Sequence, residues 1–513
     1  LKQMKRSNRK APKGRQLRPL KKLIAATLLG FGAMQAQADT LWDIYMQALD
    51  NDPQLAADRA GYHAGIEAKN QLRAPLLPQV NAQIQALRNH EYYQSGQAEP
   101  VNDDVDDVEN VELIDFLQKD TGTFDDRLYN ATLSQAIFDA PAWFGYQQGK
   151  KLTERATAEY SANQQAMMIR VATAYFDVLR AYDVLEAAVS EEKALAKQLE
   201  QTQQRFEVGL TAITDVYDSQ AAFDSSVARR LTEQDNLLSS FDALSVLTGG
   251  YHDEVAPLIE SFQVAPPVPA DRADWVDFAL ANNFDLKAAR LNAEAARYNA
   301  RSAASEHLPT LTGSVSYNKF TSEGDQTRRA IFDGEFRTRN RSTTFPRDLD
   351  NRDTTVAITL DIPIYTGGLI SANRREARNL SFQAQDLRNL TERNTIQSTR
   401  TLHRAVVTDV SRVAARQQAV VSAKSALDAT QAGYEVGTRN IVDVLLAQRT
   451  LFQSQTDYAN ALYDYIINTL NLKQVAGLLS PKDLQELDSM LNPAHNVFRV
   501  GESSPPGTPA PSK

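Results

Sequence analysis

The chain has 513 residues, a formal net charge of -9 and no cysteine. Its length leaves room for more than one domain. The missing cysteines exclude a disulfide framework, and the acidic balance argues against the basic footprint that a nucleic-acid partner requires.

Residues 1–38 read as a secretory signal. Lys21 and Lys22 precede the apolar run from Leu23 to Met34, and Ala36-Gln37-Ala38 matches the small-x-small rule for signal cleavage. The run is too short to cross a bilayer as a helix. The basic stretch Lys2–Arg18 reads as an overlong n-region, with Met4 available as a start, rather than as a nucleic-acid arm. Setting aside residues 1–38 removes ten Lys/Arg and no Asp/Glu, which takes the charge from -9 to -19. No later segment holds 18 consecutive apolar residues, so no transmembrane helix is expected.

A helix of some 35 residues is expected from Leu41 to Leu72, ended by Pro75 and Pro78. Two alternating segments follow. Val80, Ala82, Ile84 and Ala86 share one face against Asn81, Gln83 and Gln85; Tyr129, Ala131 and Leu133 share one face against Asn130, Thr132 and Ser134. Strands of about ten residues are predicted. The stretch between them, Asn89 to Asp126, reads as a long acidic loop carrying Asp103, Asp104, Asp106, Asp107 and Glu109. A helix from Pro141 to Val208 comes next, roughly 100 Å long at 1.5 Å per residue. A Val-Gly turn then leads into a shorter helix.

The same order repeats. Phe206-Glu207-Val208-Gly209 recurs 228 positions later as Tyr434-Glu435-Val436-Gly437, and Asp215-Val216 recurs as Asp443-Val444. Leu77-Pro78 matches Leu308-Pro309, and Ile137-Phe138 matches Ile364-Tyr365. The chain is therefore one structural unit used twice. Residues 39–248 form the first repeat, 249–271 a Gly- and Pro-rich connector, and 272–480 the second repeat. Residues 481–513 read as a tail, largely disordered, rich in Pro, Ser and Gly from 493.

In the second repeat a helix is expected from Trp275 to His307. Val315 and Tyr317 mark one strand, Val356, Ile358 and Leu360 the other, with Lys319 to Arg352 as a polar loop between them. The long helix runs from Gly368 to Val436. Val406, Val413, Val420, Leu427 and Tyr434 recur every seven residues, the period of coiled-coil packing. The matching positions in the first repeat are Val178, Leu185, Glu192, Leu199 and Phe206. Helices this long need neighbours side by side, in a bundle or a tube.

Alternation alone fits membrane β-barrel strands and soluble half-buried hairpins equally well. Four strands cannot close a barrel, and open edges are not tolerated in lipid. If the hairpins lie in a membrane, several chains must contribute to one barrel. Catalytic signatures are missing. The six histidines have no metal-ligand spacing, and no P-loop or GxSxG elbow occurs. No enzyme, metal or cofactor is expected.

Leu133-Ser134-Gln135-Ala136-Ile137-Phe138-Asp139, Ala172-Thr173-Ala174-Tyr175-Phe176-Asp177-Val178-Leu179, Leu360-Asp361-Ile362-Pro363-Ile364-Tyr365-Thr366-Gly367-Gly368 and the two Val-Gly turns together resemble the TolC family of outer-membrane channel proteins, over residues 39–480. The resemblance implies a mixed, mainly α fold with an internal tandem repeat. Four strands per chain would build a trimeric twelve-stranded outer-membrane β-barrel, continued by a twelve-helix periplasmic α-barrel of coiled-coil helices. It implies the exit duct of tripartite efflux pumps or type I secretion, a homotrimer set in outer-membrane lipid. Such a duct docks a periplasmic adaptor and, through it, an inner-membrane RND, ABC or MFS transporter. The alternative is a soluble periplasmic coiled-coil adaptor.

By position, the resemblance makes Asp443 a constriction-ring residue, with Leu446 where the family pattern has a second aspartate. Asp218 is the equivalent of Leu446 in the first repeat. Asp215, Tyr434, Arg439 and Gln198 match the polar links that hold the periplasmic end shut. Val208, Gly209, Leu210, Val436, Gly437 and Thr438 match the tip that an adaptor contacts. Read from the residues alone, all of these are also ordinary helix-end charges and helix-ending glycines.

Overall fold

Capping chemistry sets where the helices begin and end in the computed structural model, which describes residues 38–101, 112–493 and 496–499. The expected signal, residues 1–38, lies outside the described residues apart from Ala38. Helix α1 (Leu41–Asn51) starts at a capping box of Thr40 and Asp43. It ends at Asp52, whose side chain caps α2 (Pro53–Ile66) with Pro53 in the first turn. A short α3 (Ala68–Arg73) follows. The single helix expected over Leu41–Leu72 is thus three pieces. Asp52 separates the first two pieces because its carboxylate accepts the Gln54 N–H (3.0 Å), and proline has no N–H to continue the ladder.

Strand β1 (Gln79–Val101) pairs antiparallel along its whole length with β2 (Glu112–Phe138). Helix α4 (Ala140–Glu207) has 68 residues, close to the expected span. It turns into α5 (Ile213–Thr248). The connector carries a two-residue strand, β3 (Glu254–Val255). The second repeat opens with α6 (Arg272–Asn282) and α7 (Phe284–Ser305). Asn283 divides them, accepting the Leu286 N–H at 2.8 Å, so the expected single helix from Trp275 to His307 is two. Strands β4 (Thr310–Ile331) and β5 (Arg341–Asp361) form the second hairpin. Helices α8 (Leu369–Glu435) and α9 (Ile441–Val475) complete the repeat.

The loops expected over 89–126 and 319–352 are mostly strand. The hairpins continue far beyond ten residues because polar cross-strand pairs sustain the ladder where apolar alternation stops. Arg88 bonds Asp125 at 2.7 Å, and Arg328 bonds Asp120 at 3.2 Å. Residues 102–111, with the acidic cluster expected there, lie outside the described residues.

The four long strands make one antiparallel sheet in the order β1-β2-β4-β5. Among the described residues β1 and β5 keep their outer edges unpaired. Val80 is 74% exposed and Val356 75%. Asn130, Thr132, Asn318 and Ser316 occupy the opposite, partly covered face.

The tail differs from expectation. Helix α10 (Pro481–Asp488) starts at a Ser480–Asp483 capping box, and β6 (Val497–Phe498) pairs with β3. Leu484, Leu491 and Val497 are buried in the main core. Asp483 receives a 2.5 Å hydrogen bond from Lys473, which holds its carboxyl below the ordinary range against the upward push of burial. A buried apolar face plus an ion pair outweighs the cost of ordering this segment. Residues 500–513 lie outside the described residues.

The main core is a belt around the middle of α4. Tyr175, Phe176 and Leu179 pack with Leu41 and Ile44 of α1, Phe241 of α5, Val406 and Val413 of α8 and Ile466 of α9. Helix α7 lies against both α4 and α8 and so joins the two repeats. The seven-residue seam is real but interrupted. Val178, Leu185, Leu199, Val406, Val413 and Tyr434 are buried, whereas Phe206 is exposed. Among the described residues no helix is long and apolar enough to cross a membrane.

Candidate functional site

The predicted site residues gather where each long helix turns into its shorter partner. Both turns are built alike. Gly209 (φ 77°) and Gly437 (φ 79°) occupy the left-handed conformation that ends the helix. Leu210 N–H donates to Arg205 C=O (2.8 Å), and Thr438 N–H donates to Gly433 C=O (2.9 Å). Satisfying the last carbonyls in this way leaves the side chains on the turns facing outward. Val208, Leu210 and Val436 are each more than two-thirds exposed, and Gly209, Gly437 and Thr438 are exposed with them.

Asp215 and Asp443 occupy equivalent positions, three residues into α5 and α9. Both close their own turns. Asp443 N–H donates to the Asn440 side chain (2.8 Å), and the Asp443 carboxylate accepts from Asn440 N–H (3.5 Å). The Asp215 carboxylate accepts from the Thr211 hydroxyl. A carboxylate here also faces the positive end of the helix dipole. Arg439 stands 3.7 Å from Asp443, a pair open to solvent.

Tyr434 is only 8% exposed and packs on Ile441 and Val444. Among the described residues its hydroxyl has no hydrogen-bond partner. Among the described residues no hydrogen bond or ion pair joins Asp215 to Tyr434 or to Arg439. The two hairpins are instead joined by Arg205 of α4, whose guanidinium lies 4.7 Å from the Tyr434 ring centroid. Sequence reasoning passed over Arg205. Its one local signal is a basic residue in the last turn of a helix, which has an ordinary capping explanation.

Gln198 is buried and donates to Thr202 Oγ1 (3.4 Å). Ser219 of α5 also reaches Thr202, at 3.4 Å. Gln198 therefore belongs to the α4–α5 contact. One to two turns nearer the core, Glu191 of α4 accepts from Arg229 of α5 (2.8 Å). Burial raises the Glu191 carboxyl, opposed by Arg229 and Arg449. Leu446 is exposed and borders a cavity of about 250 Å³ between α9 and the α4–α5 pair, shared with Leu195, Arg229 and Arg449. Asp218 is also exposed.

Higher on the bundle, Asp183 of α4 accepts from the Tyr463 hydroxyl of α9 at 2.8 Å. Burial pushes this carboxyl up to about 6, and Glu186 adds to the effect. Among the described residues no cluster of three or more His, Asp or Glu side chains could hold a metal ion. The geometry is that of two capped hairpin tips, apolar at their ends and charged on their flanks.

Similarity to known proteins agrees with this geometry. The family model described as "Outer membrane efflux protein" matches residues 44–250 and 275–478, one match for each repeat. Outer membrane protein TolC of Vibrio cholerae is 33% identical over 93% of this chain and 100% of its own length. The alkaline protease secretion protein AprF of Pseudomonas aeruginosa is 26% identical over 92% of this chain and 91% of its own. The crystal structure of the outer membrane protein VceC from Vibrio cholerae superposes with a TM-score of 0.64. It shares 19% identity and covers 85% of this chain and 96% of its own. Nothing in these similarities supports the soluble-adaptor alternative. The helices form the periplasmic part and the sheet the outer-membrane part of a channel, and the chain belongs to the outer membrane efflux protein family.

Proposed function

We propose that three copies of this chain close one twelve-stranded barrel in outer-membrane lipid and continue it as a twelve-helix tunnel through the periplasm. The observation that carries this reading is the open sheet, whose β1 and β5 edges are free beside an exposed apolar face. Free edges cannot persist in lipid, and four strands are too few to close alone. Adding the β1 edge of one copy to the β5 edge of the next removes every edge.

In this reading the conduit is passive and catalyses no reaction. It passes drugs or proteins from a periplasm-spanning assembly to the outside, driven by an inner-membrane RND, ABC or MFS transporter. The similarity to a protease secretion protein supports protein cargo. A periplasmic adaptor docks on the exposed tips, Val208-Gly209-Leu210 and Val436-Gly437-Thr438. The gate is held by Arg439, Asp443 and Tyr434 on one hairpin and by Asp215 and Gln198 on the other, and Asp443 and Leu446 line the constriction. Modest polar links suit an element that must open.

The test is extraction of the processed protein. It should require detergent and run as a trimer that heating dissociates. A monodisperse, water-soluble monomer would sink the reading. Adaptor docking is checked separately by cross-linking at Val436→Cys, which should trap a periplasmic partner.

A further inference from the structure

We propose that the outer halves of the strands form a second constriction, a belt of arginine, carboxylate and aromatic side chains that narrows the extracellular mouth. This rests on the reading of the sheet as one third of a barrel. In that reading the face of Asn130 and Asn318 lines the lumen, and strand alternation carries the same face outward to Phe124 on β2 and Arg347 on β5.

Along the first part of the hairpins this face carries small polar side chains, as a water-filled lumen requires. From Leu128 on β2 and Phe320 on β4 outward its character changes. Strands β1 and β5 are the two outermost of four, so about 14 Å separates them at the usual spacing. Yet Arg347 of β5 reaches Glu91 of β1 at 3.5 Å. Both side chains must lie down across β4 and β2 to meet.

Two glycines leave the room. A Cβ on Gly122 would come 2.3 Å from the Phe124 ring, and one on Gly324 would come 2.1 Å from the Thr123 carbonyl oxygen. The Phe124 ring settles into that space and is 1% exposed. The Arg347 guanidinium covers it, 4.5 Å from the ring centroid.

Further out the arrangement recurs. Arg328 bonds Asp120 at 3.2 Å and lies 5.6 Å from the Phe345 ring centroid. Arg341 of β5 and Glu99 of β1 repeat the edge-to-edge contact at 3.3 Å. A fully buried phenylalanine on the lumen face means that the face is roofed at that height. Threefold repetition of the roof would narrow the exit. The pairs are solvent-exposed and therefore weak and salt-sensitive. The belt is thus a yielding size filter rather than a plug.

The chain has no cysteine, so one introduced thiol is its only thiol. Asn318→Cys places it on the lumen face below the belt, and Thr338→Cys places it in the exposed turn above. Intact cells carrying either variant are treated with a small maleimide and with a polyethylene-glycol maleimide of several kilodaltons. The small reagent should label both positions. The large one should label Asn318→Cys slower than Thr338→Cys by about tenfold or more. Adding Glu91→Ala and Arg347→Ala should abolish that difference; Glu91→Gln serves if the double variant fails to assemble. Equal labelling of both positions by the large reagent with the belt intact would overturn the proposal. So would exclusion that persists unchanged after the belt substitutions. Unboiled electrophoresis of the same cells reports the trimer, so failure of the barrel reading is told apart from failure of the belt.

Discussion

Arg205, at the end of α4, covers the ring of Tyr434, at the end of α8, and this contact joins the two hairpin tips of one protomer. The Tyr434 hydroxyl contributes no bond to it. A cation–π contact of this exposure contributes about 0.5–1 kcal/mol, enough to shift a two-state tip by a factor of about 2–5. Arg205→Ala is therefore expected to raise the open probability in planar bilayers by that factor, and more when combined with Arg439→Ser. Tyr434→Phe alone should leave it unchanged. A strong opening effect of Tyr434→Phe would show that the hydroxyl, rather than the ring, holds the tip.

The proposed constriction makes a separate prediction about cations. Three Asp443 carboxylates around one axis should attract di- and trivalent cations, because like charges in a narrow mouth reinforce one potential. Leu446 lies one helical turn on and brings no charge. Block from the periplasmic side should exist and be weak. Asp443→Asn should abolish it, and Leu446→Asp should strengthen it substantially. The measurement is a cation titration of bilayer current. An unchanged block in Leu446→Asp would place that side chain outside the lumen, at the cavity it borders with Arg449.

Asp183 predicts a pH dependence. Its carboxyl is pushed up to about 6 by burial, with Tyr463 donating to it and Glu186 adjacent. An acid raised in the folded state favours folding while protonated. Its contribution is full below the ordinary value of 3.8 and is lost as pH rises through about 6. Solvent reaches the neighbouring cavity, so the loss should be about 1–2 kcal/mol rather than the full shift. Asp183→Asn keeps an acceptor for Tyr463 and removes the titration. The trimer's heat-dissociation temperature should then vary less than that of the parent between these two pH values; equal slopes would refute the assignment.

The tail is expected to stabilise the core. Leu484 is fully buried in the main core, on a helix that packs against α1 and α4. Leu484→Ala should destabilise the protein by about 2–5 kcal/mol, as large-to-small core changes do. Thermal melts check this, and an unaffected Leu484→Ala would mean that α10 does not dock in solution.

Local pattern alone determined the tandem repeat, the two long helices and the two Val-Gly turns. Helix period, strand alternation and turn glycines act over a few residues, and the repeat states each of them twice. Asp52-Pro53 and the Ser480–Asp483 box were legible in the same local terms, yet a long helical pattern and a Pro-rich end masked them. Other features were decided only by tertiary structure. Polar strands such as 89–101 and 319–331 have no apolar alternation to announce them, and pairing with a neighbour supplies the ladder that keeps them extended. Arg205 and Tyr434 stand 229 positions apart, and Glu91 and Arg347 stand 256 apart. The 228-residue repeat makes the ends of α4 and α8 equivalent, but it does not say that side chains there meet. These contacts exist because α4 and α8 end at one level and because two glycines clear the floor of the sheet, so that side chains from its opposite edges can meet.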